Sequence, residues 1–178
     1  MIFALYEHPQ GVETDDGPRV VYDVGRGAAR LGAARVVGPA LVWEWGAHGD
    51  GAAITAEVEL DPGAGWVVRC DRVAFPPGGV AYRHVHPGPG IRRLLSGEVT
   101  IETSEGSHAY RAGEAWFEGA EDPVLATGSP TEDTVFVRVL LLPSKWAGRR
   151  TIRYLDPADE ERPKLQRAEI LLEEPIAP

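Results

Sequence analysis

A histidine pair in a predicted strand constrains the fold of this chain more than any other feature. His84 and His86 are separated by one residue, and the segment around them, with Val80, Tyr82 and Val85, has the composition of a β-strand. Alternate residues of a strand project from the same face. Both imidazoles are therefore predicted to point to one side of a sheet, where they can present two nitrogens to one metal ion.

Glycines at fixed distances frame the histidine pair. Gly78 lies six positions before His84, and Gly97 ends a second predicted strand that returns after the turn at residues 86–90. This pattern resembles the first motif of the cupin superfamily, which reads Gly, five residues, His, one residue, His, three or four residues, Glu, six residues, Gly. Gly78, His84, His86 and Gly97 match the motif.

The chain departs from the cupin pattern at two ligand positions. Gly90 stands where the family usually has its glutamate ligand. The segment from Tyr110 to Gly119 resembles the opening of the second cupin motif, but the last histidine position of that motif falls on Val124. The resemblance therefore covers residues 65–142 and lacks two of the four usual metal ligands.

The resemblance implies an all-β fold, a double-stranded β-helix of the cupin jelly-roll type. The whole chain, residues 1–178, is predicted to be a single cupin domain with its conserved barrel at about 65–142, an N-terminal arm with extra strands at 1–64, and a C-terminal tail at 143–178. The composition agrees, because 21 glycines and 15 prolines are spread between short β-rich runs, as in a domain with many turns.

Three segments outside the histidine strand carry further predictions. Leu41, Trp43 and Trp45 alternate on one face of a strand that covers an apolar surface, and residues 134–142 are apolar on both faces, which predicts a strand packed on both sides. Residues 25–35 combine alanines with glycines and are predicted to form a loop or a short helical turn. The final strand, residues 167–172, can pair with its own sheet edge or with that of a second subunit, and such terminal arms favour a homodimer.

Charge and cysteine content limit the class of partner. The net charge is −9, from 27 acidic and 18 basic residues, which disfavours nucleic acid and anionic membranes as partners. Cys70, the only cysteine, is predicted to be a buried, unreactive thiol inside a strand. The N-terminal segment lacks the features of a signal peptide and no apolar run is long enough for a membrane span, so a cytoplasmic location is expected.

A metal site needs a third ligand beside His84 and His86, because two nitrogens rarely hold a divalent ion. The second-motif region offers Glu118 as the preferred candidate, with Glu114, Glu121 and His108 as alternatives. Two histidines and a carboxylate would suit a divalent ion such as Fe, Mn, Zn, Ni or Cu. Strand parity places Glu118 on the face of Trp116 and opposite to Phe117, so the set fails if Phe117 points into the barrel.

Two arginines suggest a different chemistry for the same pocket. Arg92 lies on the face of the vacant glutamate position, and Arg138 interrupts the apolar last strand. A buried guanidinium needs an anion, which can be Glu118, Glu102 or the carboxylate of a substrate. An arginine that holds a carboxylate beside a histidine would also suit an isomerase, decarboxylase or lyase without metal.

The predicted function is therefore a small-molecule-binding cupin with two versions. In the first, it is a divalent-metal-dependent enzyme acting on a small anionic or oxygenated organic substrate. In the second, it is a metal-free, non-catalytic binding or sensor protein. The metal would be held by His84, His86 and Glu118, and the ligand would contact Tyr82, Arg92, Trp116 and Arg138.

Overall fold

The chain forms three stacked β-sheets in the computed structural model, which describes residues 1–177. The N-terminal sheet has the strand order β4-β3-β6-β1-β7, and a two-stranded ribbon pairs β2 with β5. These strands are β1 (Ile2–His8), β2 (Gly11–Thr14), β3 (Arg19–Asp23), β4 (Ala28–Leu31), β5 (Ala34–Val37), β6 (Ala40–Gly46) and β7 (Ile54–Glu57).

Eight further strands form a jelly-roll barrel. They are β8 (Trp66–Phe75), β9 (Val80–Val85), β10 (Gly90–Ser96), β11 (Glu98–Thr103), β12 (Gly106–Arg111), β13 (Ala115–Glu118), β14 (Val124–Gly128) and β15 (Thr134–Pro143). The central sheet orders them β13-β10-β15-β8 and the outer sheet β12-β11-β14-β9. Two facing four-stranded antiparallel sheets with this alternation are the jelly roll of the double-stranded β-helix, so the predicted fold is confirmed.

The C-terminal tail adds one strand to each barrel sheet. β16 (Arg153–Tyr154) pairs with β9, and β17 (Arg167–Ile176) pairs along β8 at the edge of the central sheet. Of the two pairings predicted for the last strand, the structure has the one within the chain's own sheet. Two 3₁₀ helices, Ser144–Trp146 and Pro157–Glu160, lie in the same tail, and no helix within residues 1–177 has the length and apolar character needed to cross a membrane.

The central sheet is packed on both faces, as predicted from its last strand. Val137, Val139 and Leu141 of β15 join the core beneath the N-terminal sheet, whereas Phe136 and Arg138 face the barrel interior. Burial on both sides explains why β15 is apolar without alternation.

The aromatic strand β6 contributes the largest side chains of the core between the N-terminal and central sheets. Leu41, Trp43 and Trp45 are buried there, as their alternation predicted, and Trp43 Nε1 donates to Ile91 O of the central sheet across 3.2 Å. Cys70 is buried in the same core, and burial raises the pKa of its thiol, in agreement with an unreactive cysteine.

The prediction for residues 25–35 is wrong, because this segment contains β4 and the start of β5 instead of a loop or a short helical turn. Residues 1–64, predicted as an arm with extra strands, form a five-stranded layer and a two-stranded ribbon. Gly27 and Gly32 adopt positive φ angles of 64° and 71° at the turns flanking β4. Alanine's helix preference is overridden because these turns return the chain into pairing with β3 and β2.

Candidate functional site

A cavity of about 400 Å³ lies between the central and outer sheets, a size within the usual range for small-molecule pockets. Its apolar wall comes from both sheets and includes Val73, Phe75, Ile101, Trp116, Ala126 and Phe136. Its buried ionisable groups are Arg69, Asp71, His84, His86, Arg92, Glu118 and Arg138. The cavity therefore combines a large apolar surface with seven buried ionisable side chains.

Four cavity residues form one row across the central sheet. Trp116 pairs with Arg92, Arg92 with Arg138, and Arg138 with Asp71, each as direct cross-strand partners. Residues that face each other across neighbouring strands share one face of the sheet. The row thus places two arginines side by side under the cavity, with an acidic partner available to each.

Glu118 is the partner of Arg92. Arg92 Nη2 lies 2.7 Å from Glu118 Oε2, and Trp116 Nε1 donates to Glu118 Oε1 across 2.8 Å. Glu118 is therefore turned into the barrel, whereas Phe117 packs on the opposite face against the core of the N-terminal sheet. Phe117 points away from the barrel, which is the condition that the sequence set for Glu118 as a ligand. The Glu118 carboxylate, however, is already bound by Arg92 and Trp116.

Arg138 is held by an aspartate that the sequence analysis did not identify. Its Nε and Nη2 donate to Asp71 Oδ2 across 3.1 and 2.9 Å, and its Nη1 donates to His86 Nε2 across 3.2 Å. Asp71 could have been found by parity, because it lies two residues before Val73 and four before Phe75 on the inward face of β8. A buried arginine needs an anion to balance its charge, so an acidic partner for Arg138 was to be expected.

The two histidines are close together and have fixed tautomers. Their ring centroids lie 4.9 Å apart, which confirms that both point to one side of the sheet. His84 Nδ1 donates to Tyr82 O across 2.7 Å, and His86 Nδ1 donates to Thr151 O across 3.3 Å. Each ring therefore keeps its lone pair on Nε2, and that of His86 already accepts from Arg138.

Both histidines are held in the neutral form by their surroundings. Burial lowers the pKa of His84 to about 4, although the negative charge of Glu118 opposes the change. Burial, and then the positive charge of Arg138, lowers the pKa of His86 well below its ordinary value. Burial also lowers the pKa of Arg92 to about 10, so its guanidinium stays charged at neutral pH. The site thus presents neutral imidazoles beside charged arginines.

Tyr82 does not lie in the cavity wall, contrary to its predicted role as a ligand contact. A regular strand would place it on the face of His84, but the pairing of β9 with β14 shifts register between the pairs at Ala81 and His84. This irregularity turns both Ala81 and His84 inward. The Tyr82 ring instead lies 6.5 Å from that of Tyr154 and beneath the guanidinium of Arg162.

The vacant glutamate position is filled by other atoms. A Cβ added at Gly90 would lie 2.4 Å from Leu140 Cδ2, 2.8 Å from Arg92 Nη1 and 2.9 Å from Val139 O. No side chain fits there without displacing its neighbours. Leu140, Arg92 and the backbone of Val139 thus fill the space beside Gly90, where the cupin pattern places a carboxylate ligand.

The side chains around the histidines do not fit a divalent cation. His86 Nε2 accepts from Arg138, Glu118 is paired with Arg92, and only His84 Nε2 has no hydrogen-bond partner within residues 1–177. Two guanidinium groups would repel a cation at this position. In the same part of the chain, no group of three or more His, Cys, Asp or Glu side chains is arranged to hold a metal ion.

The alternative third ligands lie outside the cavity. Glu114 accepts from the backbone N–H of Arg111, Glu121 is paired with Arg153, and His108 is exposed on β12. None of the three lines the cavity that holds the histidine pair. They cannot complete a ligand set with His84 and His86 in this structure.

The mouth of the cavity is formed by the C-terminal tail, which sequence reasoning did not connect with the site. Arg149, Arg150 and Lys164 lie there, and Glu160 is the carboxylate paired with Arg150 and Lys164. The buried Arg69 anchors this segment by donating to the backbone oxygens of Trp146 and Arg149 across 2.9 and 2.7 Å and by pairing with Glu173. The mouth of an otherwise acidic protein is therefore positively charged.

Comparison with known proteins concerns the fold alone. No protein-family model matches the chain, and no curated protein does, whereas 34 chains of solved structure match. The polyketide cyclase RemF from Streptomyces resistomycificus is similar over 49% of this chain and 61% of its own, with 18% identity and a TM-score of 0.41. The chain thus spans less than two thirds of that enzyme.

Two cupins of solved structure show the same level of similarity. A cupin domain from Bordetella pertussis is 21% identical over 48% of this chain and 86% of its own, with a TM-score of 0.36. An RmlC-like cupin from Shewanella frigidimarina is 18% identical over 42% and 65%, with a TM-score of 0.38.

The assignment of this chain rests on its own strand order and motif residues. The two barrel sheets have the alternation of the double-stranded β-helix. Gly78 and Gly97 adopt positive φ angles of 71° and 77° at the turns that bound the motif, and the histidine pair points into the barrel between them. By its strand order and the residues of its first motif, the chain has the cupin-type double-stranded β-helix fold.

Proposed function

We propose that this protein binds a small organic acid in the barrel cavity without a metal ion. The observation that carries the proposal is the guanidinium of Arg92, which lines the cavity and whose Nη1 would lie 2.8 Å from a Cβ added at Gly90, the vacant glutamate position. Of the two versions predicted from the sequence, the metal-free one agrees with this chemistry, because an arginine recognises an anion and repels a cation.

The charge at the entrance supports an anionic ligand. Arg150 and Lys164 share one carboxylate, that of Glu160, and Arg149 adds a third positive charge, which leaves an excess of positive charge at the mouth. The whole chain has a net charge of −9, so this local excess is opposite to the average surface. Such a contrast concentrates anions at the mouth and speeds their entry.

The interior supports a ligand with an apolar body. Trp116 and Phe136 meet edge to face with ring centroids 5.3 Å apart, and Ile101 and Val73 extend the same apolar wall. A purely inorganic anion would leave this surface in contact with water, which is unfavourable by about 25 cal/mol per Å² of apolar area. An aromatic or branched acid would cover it.

Binding of acids to metal-free protein tests the proposal. Protein treated with EDTA is titrated with benzoate, phenylacetate and octanoate by calorimetry, and with phenylacetamide as the uncharged counterpart of phenylacetate. We expect at least one acid to bind, and phenylacetate to bind tenfold or more tightly than its amide. Failure of every carboxylic acid tested to bind, hydroxylated acids included, or binding that appears only after a divalent metal is added, would overturn the proposal.

Neighbouring arginines on β10 provide a matched pair of variants. Arg92 faces the cavity, whereas Arg93 points to the other face of the sheet and pairs with Glu7. Arg92→Met is expected to weaken acid binding tenfold or more, and Arg92→Lys to restore part of it. Arg93→Met loses a charge and an ion pair of its own but should leave the affinity unchanged.

Proton transfer is a second candidate function, and it depends on His84. Its Nε2 faces the cavity as a free acceptor beside the proposed anchor for the acid, an arrangement that suits removal of a carbon-bound proton. Nuclear magnetic resonance in D₂O would detect exchange of such hydrogens in bound acids. Loss of exchange with retained binding in His84→Gln would support catalysis, and absence of exchange in every bound acid would leave the protein a binding protein only.

A further inference from the structure

Two charged side chains in the cavity wall each have one buried atom without a hydrogen-bond partner. Within residues 1–177 these atoms are Asp71 Oδ1 and Arg92 Nη2. Asp71 is 2% exposed and Arg92 is 1% exposed. Buried polar atoms are nearly always satisfied in folded proteins. Together with Gln166 Oε1, which is also unpaired and belongs to a lining residue, these atoms point to the groups that a ligand would supply.

The carboxylate of Asp71 is bonded on one side only. Arg138 donates twice to Oδ2, from Nε and Nη2, and makes no hydrogen bond to Oδ1. The single-sided contact leaves Oδ1 without a donor, and an ionised carboxylate can only accept. A ligand group placed there must therefore carry an O–H or N–H.

The guanidinium of Arg92 is likewise incompletely used. Nη1 donates to Gly90 O across 2.5 Å, but Nη2 lies 2.7 Å from Glu118 Oε2 without the alignment of a hydrogen bond. The charge of Arg92 is balanced by Glu118, while an N–H on Nη2 remains available. A ligand oxygen that accepts a hydrogen bond from this N–H would satisfy the remaining donor of Arg92.

We propose that the acid bound in this cavity carries a hydroxyl group that donates to Asp71 Oδ1 while another of its oxygens accepts from Arg92 Nη2. The inference rests on the proposed binding of an organic acid and narrows the ligand class to hydroxylated acids. His84 Nε2 offers a further acceptor in the same cavity, which adds to the preference for a donor on the ligand.

An ammonium group would fit the unpaired acceptor less well than a hydroxyl. Arg138 already neutralises Asp71, and Arg92 is the direct cross-strand neighbour of Arg138. A third cation at this row would be repelled by both guanidinium groups. A neutral O–H supplies the donor without adding charge, so hydroxy acids are favoured over amino acids.

Matched ligands test this inference on the unaltered protein. Mandelate, phenylacetate, phenylglycine and benzoylformate share a ring and a carboxylate and differ only in the group at one carbon, which is a hydroxyl, hydrogen, ammonium or ketone. Benzoate and its 2-, 3- and 4-hydroxy derivatives vary the position of the hydroxyl. We expect at least one hydroxylated acid to bind tenfold or more tightly than its parent, and phenylglycine to bind no better than phenylacetate.

The Asp71→Asn variant should reverse the preference of the cavity for a hydroxyl over a ketone on the ligand. The amide oxygen is expected to keep the contact with Arg138, which places the amide NH₂ where Oδ1 lies and converts the acceptor into a donor. A ketone would then be favoured over a hydroxyl. The affinity for benzoylformate relative to that for mandelate should therefore rise tenfold or more. Asp50→Asn, an exposed substitution, is the control, and circular dichroism verifies that each variant is folded.

The outcomes separate this inference from the proposed function. Equal binding of hydroxylated and parent acids would show that Asp71 Oδ1 is not satisfied by the ligand, and it would overturn the inference while acid binding stands. Tighter binding of phenylglycine than of every hydroxy acid would also overturn it. Failure of all acids to bind would remove the proposed function and the inference together. If Asp71→Asn does not fold, the ligand series on the unaltered protein decides alone.

Discussion

Arg138 donates from Nη1 to Nε2 of His86 across 3.2 Å in the interior of the barrel. The nitrogen that a metal would require is therefore already an acceptor in a hydrogen bond to a cation. The same arginine makes two hydrogen bonds to Asp71, which fixes it in place. The retained histidine pair thus belongs to a network of protein side chains.

We expect the purified protein to bind no divalent metal at this site. Protein supplied with Fe, Mn, Zn, Ni and Cu salts and then desalted should contain far less than one metal ion per chain, because two guanidinium groups oppose a cation. Elemental analysis by mass spectrometry measures the content. Stoichiometric metal that disappears in both His84→Ala and His86→Ala would contradict this prediction and restore the metal-dependent hypothesis.

The Arg138 and Asp71 pair gives a prediction for stability. Removing one partner leaves an uncompensated buried charge, which typically costs about 3–5 kcal/mol, so Arg138→Met alone should lower the free energy of unfolding strongly. Replacing both, as in Arg138→Met with Asp71→Leu, should recover most of the loss because no charge is then stranded. Urea unfolding of the single and double variants measures both values, and a double variant as unstable as the single one would contradict the argument.

Glu118→Gln should increase the affinity for organic acids. The substitution removes the negative charge 2.7 Å from Arg92 while preserving the shape of the side chain, so the guanidinium is no longer neutralised. We expect about tenfold tighter binding, equivalent to about 1.4 kcal/mol. Glu114→Gln, which changes a carboxylate outside the cavity, is the control. Unchanged or weaker binding in the cavity variant would show that Arg92 is not the anion anchor.

Burial of His84 predicts a loss of stability in weak acid. Its pKa is about 4 in the folded chain against an ordinary value of 6.5, so between these values the unfolded chain binds a proton that the folded chain does not. Stability is therefore fully present above pH 6.5, falls as the pH drops from 6.5 towards 4, and loses nothing further from this group below pH 4. The difference corresponds to about 3 kcal/mol.

Comparison with His84→Gln isolates this contribution from other acidic groups. Denaturant unfolding at several pH values should show a steeper decline for the wild-type chain than for the variant between pH 6.5 and 4. Parallel curves would indicate that His84 has an ordinary pKa in the folded chain. His8→Gln, which replaces a histidine outside the cavity, is the control.

The homodimer suggested by the terminal segments stays a prediction. Within residues 1–177, β17 pairs with β8 of the same chain, where it adds an edge strand to the central sheet, so assembly does not require exchange of this strand. Light scattering coupled to size-exclusion chromatography should give twice the mass of one chain. The mass of a single chain would contradict the prediction.

Much of the barrel could be predicted because its signals are local. The spacing of Gly78, His84, His86 and Gly97 identified the motif, and the uninterrupted apolar run of β15 predicted a strand packed on both faces. The N-terminal sheet was not predicted, because the pairing of β1 with both β6 and β7 joins segments distant in sequence. Sequence patterns describe each strand but not its neighbours.

The sequence by itself determined that two imidazoles share a face and that two arginines lie among apolar residues. The shared face follows from the two-residue period of a strand, which is a property of the backbone. The apolar neighbours of the two arginines can be read directly from the sequence. Only the tertiary structure decided what these groups do, because the row from Trp116 through Arg92 and Arg138 to Asp71 is assembled from four strands. Ion pairing across strands depends on register, and register is fixed only when the whole sheet has formed.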